Sequence, residues 1–432
     1  MKISLRHTTY TLITAALLTT AGCIKDYDNP NAATEDQVFS SPRGLTGAAV
    51  GLQRVYTAGR ASSLFNLVSA NGFLTKELIL LNPGNIPELE LVTGGGSVTR
   101  ANSILNGLWS SSNKIIADAD KIIASAQALP DKGYASGLIG YSSVFKALAI
   151  GNLSMFWEKV PAAVGENVQF IDRKDGFKRA ITVIDAALAA INANPIPANF
   201  ISNVPAGISI VNTLNALKER YSLFTEQYPQ AIAAASAVNL SVTSAFTFDA
   251  LNLNPIFETA TATNNVFQPV DSTLGLLQPL QPDAADQRIP FYIGINSSIA
   301  PRYRIRGFAA TGTSSWPVYL PGEMTLIKAE AYARQNDLAN ARLELNKVLT
   351  KTPAQDPFGV GAALPEVGAG LSQQQLLDII YQQRSIELFM SGLKLEDMRR
   401  FNRQLTERRR NFVPYPFSER DNNTNTPADP DF

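Results

Sequence analysis

From about Asn102 to Ile191 the apolar residues recur at helical spacing, and proline or short polar turns supply the breaks. Ile104, Leu108, Ile115, Ala119 and Ile122 fall on one face of a helix that stops before Pro130. A second run spans about Tyr134 to Glu158, and a third runs from about Arg173 to Ile191, before the Asn-Pro-x-Pro break at 194–197. Shorter runs at about 207–226 and 229–238 meet near Tyr228-Pro229. Upstream, Leu45, Ala48, Ala49, Leu52 and Tyr56 make one more helix, with Ser40 or Ser41 as N-cap and Pro42 near N1. Helices joined by short turns bury their stripes against one another. The spacing therefore predicts a mainly α scaffold of paired helices.

Two stretches depart from it. Residues 82–99 hold Asn-Pro-Gly and Gly94-Gly95-Gly96 and read as loop. Residues 240–318 mix Thr, Phe, Asn and Pro with short strand-like runs, Phe291-Tyr292-Ile293 and Tyr303-Arg304-Ile305, and read as a loop-rich insertion. In 321–353 the positions follow tetratricopeptide spacing. Ala329, Tyr332, Ala341 and Leu345 take the packing sites and Pro353 the terminating one.

The N-terminus carries Lys2 and Arg6, then the apolar stretch Tyr10–Leu18, then small residues up to Cys23. This is the layout of a secretory signal peptide, residues 1–22; the run is half what a bilayer span requires. Ala21-Gly22-Cys23 resembles the lipobox of bacterial lipoproteins, with Thr20 where a leucine is commoner, which makes Cys23 the expected lipidation site. Residues 23–35 read as a tether. Its Lys25-Asp26-Tyr27-Asp28 resembles the surface-export signal of Bacteroidetes lipoproteins, which implies an outward-facing, lipid-anchored position on the outer membrane.

Composition narrows the chemistry. The one histidine, His7, and the one cysteine both precede or define the mature start. A chain cleaved before Cys23 therefore lacks imidazole general bases, Cys or His nucleophilic systems, and His/Cys metal sites. No catalytic residue, metal site or cofactor is expected. Carboxylate chemistry of the glycoside-hydrolase kind survives, and needs two acids converging in a cleft. Glu330, Asp337 and Glu344 read instead as a solvated helix face. Charge is balanced at 37 basic and 37 acidic residues, and losing Lys2 and Arg6 leaves about −2. Arg408-Arg409-Arg410 is the one basic run; it reads as a helix C-terminus, so nucleic acid is not an expected partner.

The densest motif lies near the end, Arg384-Ser385-Ile386-Glu387-Leu388 through Gly392 to Asp397, Arg400 and Phe401. It resembles the C-terminal signature of the SusD/RagB family, with Gln383, Ser391 and Lys394 replacing Glu, Glu and Arg. Val38-Phe39-Ser40-Ser41, Phe156-Trp157-Glu158-Lys159-Val160-Pro161, Lys328-Ala329-Glu330-Ala331-Tyr332 and Val413-Pro414-Tyr415-Pro416 resemble other family segments, in order. The resemblance implies a tetratricopeptide-like helical scaffold with a loop-rich region opposite. It also implies capture of an oligosaccharide or peptide for a SusC-like TonB-dependent transporter. Within the signature, Arg384 and Glu387 stand three apart and are expected to pair, and Gly392 to turn the chain.

A glycan site calls for aromatic faces beside polar groups. Of the three tryptophans, Trp109 and Trp157 read as core. Trp316, in a polar loop before a helix, is the expected ligand platform, with Tyr303 and Tyr292 as weaker partners. A repeat scaffold for envelope assembly is the remaining alternative.

Overall fold

A computed structural model describes residues 34–298 and 302–432. The expected signal peptide, Cys23 and His7 lie outside the described residues. The first described helices are α1 (Glu35–Phe39) and α2 (Pro42–Thr57), the latter capped by the Ser41 hydroxyl, which accepts from Gly44 N at 3.1 Å. Next come α3 (Ser63–Leu74), strand β1 (Leu78–Leu80) and α4 (Ile86–Thr93). All twelve residues of α3 are buried, so its sequence shows no polar face and no period to read. The 82–99 stretch is not all loop, because Pro87 sits in the first turn of α4 and presets its φ.

The scaffold follows as α5 (Ser103–Gln127), α6 (Lys132–Phe156), α7 (Arg173–Ala193), α8 (Ala198–Ile201), α9 (Ile210–Phe224) and α10 (Tyr228–Ser236). Asn102 caps α5 and Asp131 caps α6. Each long helix packs on the next, α5 on α6, α6 on α7, α7 on α9 and α9 on α10. Short strands β2 (Lys159–Pro161) and β3 (Phe170–Asp172) close the α6–α7 connection. Trp157 ends α6 fully buried, and its indole donates to Pro414 O at 3.0 Å; Trp109 packs edge-on against it at 4.8 Å.

Beyond α10 the chain turns irregular. β4 (Ala245–Phe246), β5 (Phe267–Pro269), α11 (Arg288–Tyr292), β6 (Ile293–Asn296), β7 (Arg302–Ile305) and β8 (Trp316–Pro317) follow in order. β4 pairs antiparallel with β8, which brings the two ends of this excursion together, while β5 pairs with β1 and β6 with β7. Phe291-Tyr292 is a helical turn and not strand; the strand starts at Ile293.

Helix returns with α12 (Pro321–Arg334) and α13 (Leu338–Thr350), where Ala329, Ala341 and Leu345 are fully buried in the expected packing positions. α14 (Gln373–Glu387) packs on both, followed by α15 (Lys394–Arg400) and α16 (Phe417–Asn422). Arg408–Arg410 do not close an α-helix; they follow a single 3-10 turn, Leu405–Glu407, which Arg408 caps. Arg410 lies in irregular chain and donates to the Gly95, Phe412 and Pro430 carbonyls, pinning the C-terminus to the glycine loop. No helix among the described residues is long and apolar enough to cross a membrane.

Candidate functional site

The site is built outward from one carboxylate. Glu387, at the end of α14, is fully buried and accepts from Arg288 at 3.0 Å and Lys351 at 2.9 Å. Arg384 does not pair with it. Arg384 reaches instead to Asp397, because Glu387 is already held by cations from two other segments. Burial opposes the charge of Arg288, yet Asp286 and Glu387 hold its pKa above the ordinary value. Lys351 is raised in the same way, burial opposing and Glu387 and Asp356 prevailing. The Tyr292 hydroxyl donates to the Glu387 carbonyl at 2.5 Å, and burial pushes its pKa well up. α11 is thus clamped to the signature helix at both its ends.

That clamp fixes an aromatic patch. Phe291, Phe308 and Phe358 are half-buried and meet edge-to-face, Phe291–Phe308 at 5.3 Å and Phe308–Phe358 at 5.8 Å. Gly307, at φ 55°, turns the chain against the Phe291 ring. Asp356 accepts from the Phe358 backbone at 2.9 Å while Lys351 holds its other oxygen. From beneath, the buried Asn254 amide donates to the Phe308 and Ser314 carbonyls at 2.8 and 2.9 Å. The adjacent turn exposes Thr311, Thr313 and Ser315. Ring faces beside hydroxyls are chemistry suited to a sugar, whose C–H faces and OH edges alternate.

The expected ligand residues are placed as follows. Trp316 is 5 % exposed in β8, so its expected exposure is corrected: pairing with Phe246 and packing behind Phe308 at 6.3 Å bury it. Tyr292 is 4 % exposed and its hydroxyl is used up by Glu387. Tyr303 is half-buried in β7, opposite the exposed Ile295. Trp316 also lines an interior cavity of about 50 Å³ with Arg220, Glu323, Tyr56 and Asn152. That volume suits a water or two, against about 300–1,000 Å³ for ligand pockets. The rings that meet at the hydroxyl-bearing turn are the three half-buried phenylalanines, which sequence reasoning missed. The available signal was Gly307-Phe308 and Phe358-Gly359, an aromatic beside glycine in a loop.

The acids expected on a solvated face are partly interior. Glu330 is fully buried and receives Arg400 at 2.9 and 2.7 Å and Arg334 at 2.9 Å. Burial alone would raise its pKa, but the arginines bring it to about 2. Glu344 is 7 % exposed beside Lys328 and Lys347, and Asp337 caps α13. No group of three or more His, Cys, Asp or Glu able to hold a metal occurs among the described residues.

Comparison with known proteins agrees with this architecture. Residues 281–429, about a third of the chain, match the SusD family. A SusD-like carbohydrate binding protein of Bacteroides fragilis is similar in structure, with TM-score 0.67 at 15% identity, covering 84% of this chain and 87% of its own. A laminarin binding SusD-like protein gives TM-score 0.68 at 14% identity, covering 90% and 99%. A SusD superfamily protein of Bacteroides thetaiotaomicron gives 0.65 at 15% identity, covering 90% and 100%. No curated protein matches the chain in sequence.

Proposed function

We propose that this chain, whose residues 281–429 match the SusD family and whose fold is that of SusD-like structures, captures a glycan and passes it to a SusC-like TonB-dependent transporter. The observation that carries the reading is the clamped patch of Phe291, Phe308 and Phe358 beside exposed hydroxyls. Stacked rings hold a sugar face without consuming it, and the clamp to Glu387 keeps them preorganised. The structural relatives whose names specify carbohydrate or laminarin binding support the glycan over the peptide. In this reading Cys23 carries the lipid, residues 1–22 are removed, and the protein faces outward from the outer membrane. Trp316 contributes by backing Phe308, and Tyr303 by lining the neighbouring hairpin.

Capture without turnover is supported by the fate of the acids. Glu330, Glu387 and Asp397 are each clasped by arginine in the interior, which leaves them poorly suited as the open carboxylate pair of a hydrolase. The test is native-gel retardation of the mature chain in a series of polysaccharides, beside membrane fractionation of wild type and Cys23→Ser. Retardation by a polysaccharide without sugar release, a co-purifying barrel, and release of Cys23→Ser from membranes are expected. Sugar release tracking a single carboxylate substitution, or no retardation by any polysaccharide, would overturn the reading.

A further inference from the structure

Resting on the capture reading, we propose that the glycan is anionic, carrying uronate carboxylates or sulfates, and that Arg302, Arg304 and Arg306 receive its charges. β7 places Arg302 and Arg304 at alternate positions, and Arg306, the first residue past the strand and still extended, continues the alternation, so the three share one face of the β6–β7 hairpin, spaced about 7 Å apart. The register sets Asn296 opposite Arg302 and Gly294 opposite Arg304, so the partner strand offers no acid. Among the described residues, no carboxylate stands within ion-pair distance of any of the three; the side-chain bonds they make run to backbone carbonyls, Arg302 to Asn264 O at 3.1 Å and Arg306 to Pro290 O at 3.5 Å.

The contrast with the interior arginines is sharp. Arg220, Arg288, Arg384 and Arg400 are each neutralised by a carboxylate. The hairpin arginines are left with most of their five donors open, in a stripe where each repels the next. Their placement is nonetheless fixed. Gly294 has no Cβ, and a Cβ there would stand 2.7 Å from Arg306 Nε, so the glycine makes room for the guanidinium to lie across the hairpin. Arg306 is exposed, and Gly307 next to it abuts Phe291, so the stripe runs directly into the aromatic patch. Guanidinium forks match carboxylate and sulfate oxygens bidentately. An extended polyanion could set ring faces on Phe291 and Phe308 and acid groups along β7. A neutral glycan would use the rings and leave the stripe idle.

The experiment measures native-gel retardation and calorimetric affinity for polygalacturonate, chondroitin sulfate, laminarin and polyglutamate, at low and raised salt. Wild type is compared with Arg302→Gln/Arg304→Gln/Arg306→Gln and with Phe291→Ala. The expected result is tightest binding to one of the two charged polysaccharides, weakening with salt. The triple variant should lose at least tenfold for that polysaccharide while its melting temperature holds. Phe291→Ala should also weaken it, which polyglutamate binding would not require. Binding to laminarin alone, unchanged in the triple variant, would overturn the anionic assignment and leave the capture reading standing. Equal affinity for polyglutamate would reduce the stripe to a non-specific cation patch and overturn it as well. Binding to none of the polysaccharides would overturn both.

Discussion

The Arg384 guanidinium grips both carboxylate oxygens of Asp397, at 2.9 and 3.0 Å, with both side chains fully out of water. Asp397 also receives Arg400 at 2.8 Å, and Arg400 holds Glu330, so α12, α14 and α15 meet on one alternating ring of charge. Removing one partner of such a buried pair strands the other, at about 3–5 kcal/mol. Asp397→Asn and Arg384→Met should therefore each lower the urea midpoint strongly at unchanged slope. The double variant Arg384→Met/Asp397→Asn should lose less than the sum of the two. Strict additivity would mean the two residues act separately.

Stability should fall as pH rises toward neutral. Glu77 is buried, and burial pushes its carboxyl up to about 7, against the opposing pull of Lys394 at 3.9 Å and the Thr75 hydroxyl at 3.4 Å. Between about pH 4.5 and 7 the folded chain keeps a proton that the unfolded chain has released. That stabilisation is complete below the unfolded value and is lost as pH climbs through the folded one, at most about 3 kcal/mol. Glu219, buried with neither oxygen hydrogen-bonded, is raised by burial and by Glu323, and adds in the same direction. Glu330, brought to about 2, acts oppositely and matters only as pH falls from about 4.5. Melting temperatures from about pH 5 to about pH 8 should decline in wild type and decline less in Glu77→Gln. An identical slope in the variant would remove Glu77 from the account.

Gly322 gives a substitution whose sign runs against helix propensity. Alanine within a helix ordinarily stabilises by about 0.5–1 kcal/mol relative to glycine. At Gly322, in the first turn of α12, a Cβ would collide with the Glu387 carboxylate. Glu387 could give way only by leaving Arg288 and Lys351. Gly322→Ala should destabilise by about 1–3 kcal/mol and also weaken glycan binding, since the same carboxylate positions α11 and Phe291. A variant more stable than wild type would show that Glu387 moves freely.

The scaffold was legible because its helices announce themselves through periodic stripes and side-chain caps, as Asn102, Asp131 and Ser41 do. α3 was not, since a helix buried on every side carries no stripe. The signature positions were legible but their partners were not. Arg384 and Glu387 look paired at three-residue spacing, whereas their contacts lie 13 and 99 residues away. The same long reach hid the patch, because Phe291, Phe308 and Phe358 come from separate turns whose meeting depends on Glu387, Asn254 and Asp356. Trp316 misled because the flanking residues are polar while the β4 strand that covers it comes from 70 residues earlier.

Trp316 and Phe291 should separate folding from binding. Trp316 is buried against Phe308 and the β4 strand, so Trp316→Ala leaves a cavity with little means of collapse and should cost about 3–5 kcal/mol. Phe291 is only half-buried, so its loss should cost less stability. A stacked ring withdrawn from a sugar should forfeit about 1–3 kcal/mol, roughly tenfold or more in affinity. Phe291→Ala should accordingly bind its polysaccharide at least about tenfold more weakly with a nearly unchanged melting temperature. Trp316→Ala should melt early, and should recover much of its affinity when assayed well below its melting point, because in the proposed site Phe308 and not Trp316 meets the sugar. Calorimetry on both variants at two temperatures reads these outcomes together. A Trp316→Ala protein that melts like wild type but no longer binds would make Trp316 itself the platform, exposed by a rearrangement of the β8 region.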